Sequence, residues 1–265
     1  VVRRLTVLRR RGSRRVARWA GIALEALGEL GHVWRPQRHD DFGRGSGRPV
    51  VLLHGYGAPR RILHVMEHRL RKNLGVSVVS FHLPGLGGVV DATDLETEAS
   101  RVACKIERLC ERRGVAEIDM VGHSRGGVLA RHIVASHPVG RRVRTLVTLG
   151  SPFLGSPVAV LGAIPLGFFS RSLWQLMPFS PFLRRLNRLP LPPGLRFVSI
   201  AGGADVTAPW FLCRVPLAGA APGTVHNYVV SATSHNGLLV SRRVFTLVAA
   251  ELCRPVETPR DGNRV

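Results

Sequence analysis

Lysine is almost missing from this chain: Lys72 and Lys105 stand against a total of 38 basic residues, the rest being arginine. Acid is scarce too, with 17 aspartates and glutamates leaving a formal charge of +21 over 265 residues. Such an excess describes a solvated basic surface, and an anionic membrane surface is the partner it would suit. A nucleic-acid partner is excluded from the reading, because the arginines run through the whole chain and no nucleic-acid-binding motif occurs. Cys104, Cys110, Cys213 and Cys253 lack metal-ligand spacing, which excludes a zinc-ribbon type of site. Cys104 and Cys110 face different ways on a helical pattern; a Cys213–Cys253 bridge and free buried thiols both stay open. Residues 145–170 carry no charge at all. A membrane span is nevertheless excluded, since its start is needed as a strand and Pro152, Pro157 and Pro165 break any long helix.

Residues 1–46 read as a separate arm. Arg3, Arg4, Arg9, Arg10, Arg11, Arg14 and Arg15 crowd its start, and Val16, Ala20, Leu24, Leu27 and Leu30 then share one helical face. Packing of that helix on the domain and binding at a membrane surface are both open. Glu25 and Glu29 interrupt the apolar stretch and no clear small-residue cleavage site follows, so no signal peptide is evident. The compartment, whether membrane-associated, cytoplasmic or exported, and the oligomeric state stay open.

Residues 47–265 alternate between apolar runs of strand length and helical patterns. Pro49–Leu53, Val76–Phe81, Ile118–Val121, Val143–Leu149, Arg196–Ile200 and Val225–Val230 read as strands. Arg60–Lys72, a stretch from a Thr93–Glu96 capping box to about Arg113, Val128–Ser136 and Leu238–Leu252 read as helices. This implies an α/β fold, a mostly parallel doubly wound sheet with helices on both faces. Between 151 and 193 the alternation stops. Phe153, Leu154, Phe168, Phe169 and Trp174 lie in that apolar, proline-broken insertion after the strand ending near residue 149. It reads as a cap or lid lining a site for an apolar group, against the plainer alternative that its aromatics pack on the sheet.

The chemistry is concentrated in Gly122-His123-Ser124-Arg125-Gly126, between a buried strand and a helix. A serine flanked by glycines there is a nucleophile elbow: the turn is too tight for larger neighbours and lifts the hydroxyl out of the sheet. A serine hydroxyl needs a base to take its proton and an acid to hold that base. Asp205 is the lone carboxylate between Asp119 and Glu251, in the glycine-rich loop after a strand. His235 lies in a loop of small residues before the last helix, whereas His226 begins a strand; His235 is therefore the expected base. His54, His123 and His132 are expected to support the site or cap strands, with the His123 side chain pointing away from the serine. The oxyanion of an acyl-transfer intermediate needs N–H donors, expected from Arg125 and from Tyr56 in His54-Gly55-Tyr56-Gly57.

Together His54–Gly57, Gly122–Gly127, Asp205 and His235 resemble the ordered motifs of α/β-hydrolase-fold bacterial lipases and esterases, over roughly residues 49–253. Leu149-Gly150-Ser151-Pro152, with Gly155-Ser156 after it, also resembles the segment that follows the sixth strand of those lipases. The resemblance implies a serine carboxylic-ester hydrolase with a Ser124–His235–Asp205 triad, an acyl-enzyme and a lipid or acyl-ester substrate, without a cofactor. Phospholipase, thioesterase and acyltransferase chemistry share that triad, and a catalytically silent membrane- or protein-binding scaffold is the remaining alternative. The structural calcium of some secreted relatives is not carried over, because no acid lies between His235 and Glu251.

Overall fold

The computed structural model describes residues 42, 45–55, 63–81, 93–160, 171–216 and 224–254. Nearly all of the basic arm, with its amphipathic stretch, lies outside them. Among the described residues six strands make one sheet: β1 (Val50–Leu53), β2 (Val78–Ser80), β3 (Ile118–His123), β4 (Val143–Leu149), β5 (Arg196–Gly202) and β6 (Val225–Val230). Their order is β2-β1-β3-β4-β5-β6, and every pairing is parallel. Parallel strands need crossovers, and these supply helices to both faces.

One face holds α2 (Leu95–Arg113), α3 (Arg125–Ser136) and the short α4 (Arg171–Gln175) and α5 (Pro181–Arg188) of the insertion. The other is covered by α1 (His64–Leu74), α6 (Gly237–Val240) and α7 (Arg242–Leu252). Strand alternation sorts the core between the faces. Val51, Leu53 and Met120 face α2 and α3, while Val50, Leu52 and Val121 face α1 and α7. Each β1 side chain is fully buried, a gain of roughly 1.5–3 kcal/mol apiece over exposure.

Two details depart from the sequence reading. Asp94, not Thr93, caps α2: its carboxylate accepts from Thr97 N–H at 2.7 Å. Both residues are capping types, and only the extended backbone of Asp94 selects it. The last helix is broken in two, because Ser241 adopts extended backbone and caps α7 through Val244 N–H. All four cysteines are free; Cys213 is buried with its thiol on the Ala208 carbonyl, and Cys253 is exposed, so they form no bridge. Among the described residues no helix is long and apolar enough to cross a membrane.

Candidate active site

The carboxyl ends of adjacent parallel strands share one edge of the sheet, so the loops following them converge there. Gly55 follows β1, Ser124 follows β3, Gly150 follows β4, and Asp205 and His235 follow β5 and β6. Ser124 has φ 55° and ψ −128°, a conformation that costs a non-glycine residue about 1–3 kcal/mol. The turn is held by Ser124 N–H on the Leu149 carbonyl at 2.8 Å and by Gly127 N–H on the Ser124 carbonyl at 3.0 Å. The flanking glycines are there for space. A Cβ at Gly126 would stand 2.4 Å from the Leu53 carbonyl oxygen, and one at Gly122 2.5 Å from Gly127 Cα.

Asp205 and His235 are brought together. Asp205 Oδ2 accepts from His235 Nδ1 at 2.7 Å, while its Oδ1 accepts the backbone N–H groups of Thr207 at 2.9 Å and Ala208 at 2.8 Å. The carboxylate is therefore buried with both oxygens occupied, and the imidazole is held with Nδ1 protonated and Nε2 free to accept. Gly150, at φ 57°, lies against this pair: a Cβ there would be 3.1 Å from both Asp205 Oδ2 and His235 Nδ1. Ser124 N–H is bonded to Leu149, and the next residue, Gly150, lies against the acid–imidazole pair, so both flank the carboxyl end of β4.

Arg125 opens α3, a 12-residue helix, so its backbone N–H lies at a helix N-terminus where the peptide dipoles favour negative charge. Its side chain is buried and ion-paired with the equally buried Glu98 of α2. Tyr56, the other expected oxyanion donor, lies outside the described residues, as do Phe168 and Phe169. Phe153 is fully buried and meets Phe197 edge-on at 5.6 Å, so its ring belongs to the core under the insertion. Leu154 and Trp174 are exposed, as are Val206, Trp210 and Phe211 on the segment that follows Asp205. The insertion is tied to α2 by Leu95 N–H on Gln175 Oε1 at 2.6 Å, by Gln175 on Glu96, and by Arg185 on Glu96 at 3.0 Å.

His226 is set in β6 and stacks on Tyr228. His123 does not turn away from the site. Its ring is buried against that of His235, a contact that single-sequence reasoning missed because the two lie far apart in the chain. Glu98 was missed likewise. Its one sequence signal is an acidic residue at a position where the α2 apolar stripe runs. Among the described residues no three His, Cys, Asp or Glu side chains converge as a metal site.

Residues 48–181 match the family model described as the alpha/beta hydrolase fold. The chain belongs to the α/β-hydrolase fold family. Among the relatives of this α/β hydrolase, a triacylglycerol lipase of Pseudomonas fragi is 26% identical over 152 residues, 55% of this chain and 50% of its own. A triacylglycerol lipase of Pseudarthrobacter phenanthrenivorans is 23% identical over 113 residues, 42% of this chain and 35% of its own. A pimeloyl-acyl-carrier-protein methyl ester esterase of Neisseria meningitidis is 34% identical over 106 residues, 39% of this chain and 30% of its own. This α/β hydrolase thus spans about a third to a half of the length of these curated relatives. Among solved structures, a Bacillus licheniformis lipase superposes with TM-score 0.61 at 16% identity, over 82% of this chain and 96% of that one. A Paleococcus ferrophilus monoacylglycerol lipase gives 0.58 at 18% identity, over 79% and 97%. At such identities the likeness is one of fold.

Proposed function

We propose that this α/β hydrolase is a serine carboxylic-ester hydrolase acting on esters with an apolar acyl chain. The observation that carries the reading is the Asp205–His235 hydrogen bond of 2.7 Å, held beside the strained Ser124 turn. Ser124 Oγ attacks the ester carbonyl while His235 Nε2 takes its proton, and Asp205 stabilises the resulting imidazolium through Nδ1–H. The oxyanion is held by the N–H of Arg125 and, from the loop after β1, that of Tyr56. Collapse of the intermediate expels the alcohol, which receives the proton from His235. Water then enters by the same route in reverse and releases the acid. Leu154, Trp174, Phe168 and Phe169 of the insertion are assigned to the acyl chain, whereas Phe153 belongs to the core against Phe197. That its relatives are triacylglycerol lipases and a methyl ester esterase supports ester cleavage.

Hydrolysis of p-nitrophenyl esters from acetate to palmitate, by wild type and Ser124→Ala in parallel, tests this. Turnover and labelling by an active-site phosphonate should both vanish in the variant while its circular dichroism is unchanged. Activity retained in Ser124→Ala, or a wild type that neither turns over nor takes the phosphonate, would sink the reading and favour a silent scaffold.

The charge of +21 favours a second reading with the same triad, in which the ester belongs to an anionic lipid. Faster cleavage in phosphatidylglycerol vesicles than in phosphatidylcholine, lost at high salt, is its expected signature.

A further inference from the structure

His123 precedes the nucleophile in β3, yet 2% of its surface is exposed. Its Nε2 lies 3.1 Å from the main-chain carbonyl oxygen of His235, and the two imidazole centroids are 4.6 Å apart at a tilt of 48°. A carbonyl oxygen only accepts, so Nε2 carries the proton and Nδ1 the lone pair. Nδ1 stands 3.4 Å from where a Cβ at Gly55 would be, facing the loop after β1. The titratable groups facing this ring are His235, Asp205 and His54. Burial, and then the neighbouring His235, push its pKa down to about 3, so it stays neutral at ordinary working pH.

The bond to Asp205 fixes the tautomer and rotation of His235. It does not by itself fix the loop that carries it, where Ser231, Ala232 and Ser234 are exposed. That loop is tied to β3 by the His123 contact, and Ser124 is the residue that follows His123 at the end of β3. We propose that His123 is a positioning residue that sets the distance between base and nucleophile, by joining the His235 main chain to the strand bearing Ser124. The inference rests on the reading of Ser124, His235 and Asp205 as nucleophile, base and acid. A neutral ring in this place also suits the chemistry, because a second cation beside His235 would oppose imidazolium formation. Misplacement of a reacting group by about 1 Å can cost about 100-fold in rate.

The test compares His123→Phe, which keeps a ring without the donor, with His123→Gln, which returns an N–H donor. His123→Met serves as a second variant lacking the donor. On p-nitrophenyl esters, Phe and Met are expected to lower kcat by roughly 10- to 100-fold with KM unchanged, and Gln to stay within about 3-fold of wild type. A second readout needs no turnover. The His235 Nδ1–H proton, hydrogen-bonded to Asp205, gives a far-downfield NMR resonance that should persist in the Gln variant and be lost to exchange in Phe and Met. A wild-type kcat and an intact resonance in His123→Phe would overturn the proposal. So would a Gln variant as impaired as Phe, or loss of the fold in both Phe and Met, since packing would then explain everything. If the wild type proves inactive, the catalytic reading fails, while the resonance still decides whether His123 positions His235.

Discussion

Glu98→Gln removes a carboxylate from a place where its partner cannot recover water. The Glu98 and Arg125 side chains are 1% and 2% exposed, and one is anchored in α2 while the other opens α3. Two charges this deep attract strongly, but each has lost its hydration, so the pair as a whole stabilises little over an apolar pair of the same shape. Loss of one partner is different, because the remaining guanidinium is then charged and unhydrated. Breaking such a pair costs about 3–5 kcal/mol, which in a domain of this size lowers Tm by roughly 10 °C. The double change Glu98→Leu with Arg125→Met removes both hydration penalties together, and its stability is expected within about 1 kcal/mol of wild type. Guanidinium unfolding followed by circular dichroism measures both variants. Ester hydrolysis should fall in Glu98→Gln as well, since the Arg125 N–H proposed for the oxyanion shares a residue with the displaced side chain. A Glu98→Gln variant within about 0.5 kcal/mol of wild type, or a double variant less stable than the single one, would refute this account.

Other outcomes follow from the same geometry. Asp205→Asn keeps its amide oxygen on the Thr207 and Ala208 N–H groups and so puts an NH2 donor where Oδ2 accepts from His235 Nδ1. It is expected to lower kcat by about 10⁴-fold with the fold intact, seen in ester turnover against thermal unfolding. Gly150→Ala would place a methyl 3.1 Å from His235 Nδ1 and 2.8 Å from Leu238 Cδ1, on a backbone at φ 57°. Activity should drop at least 10-fold and stability by about 1–2 kcal/mol, and wild-type kinetics would contradict the placement. His123 is neutral when folded but binds a proton below about pH 6.5 when unfolded, so acid favours the unfolded chain. Between about pH 6 and pH 4 the urea-derived stability of wild type should therefore fall by about 1.4 kcal/mol per pH unit more steeply than that of His123→Phe. Parallel slopes would show that His123 does not carry this linkage.

The amino-acid sequence alone determined the features set by local chemistry. Apolar runs of strand length separated by helical patterns required a parallel sheet with two covered faces. Gly122 and Gly126 around Ser124 required a turn in which backbones nearly touch, as the clashes of an added Cβ there make plain, while Gly127 leaves room for the Ser151 side chain. Asp205 was reached by the scarcity of other carboxylates and His235 by its place in a loop of small residues; both arguments use only neighbours in the chain. The cap of α2 and the break before α7 were misplaced because Thr93, Asp94 and Ser241 are all capable of capping, and only the realised backbone selects among them. Tertiary structure decided the rest. Phe153 looked like an acyl-chain contact because aromatics crowd the insertion, but packing against Phe197, brought alongside by the β4–β5 pairing, puts its ring in the core. The ties between His123 and His235, Glu98 and Arg125, and Gly150 and the Asp205–His235 pair join segments far apart in the chain. No periodicity or spacing encodes such contacts, because they form only when parallel strands bring their carboxyl ends to one edge of the sheet.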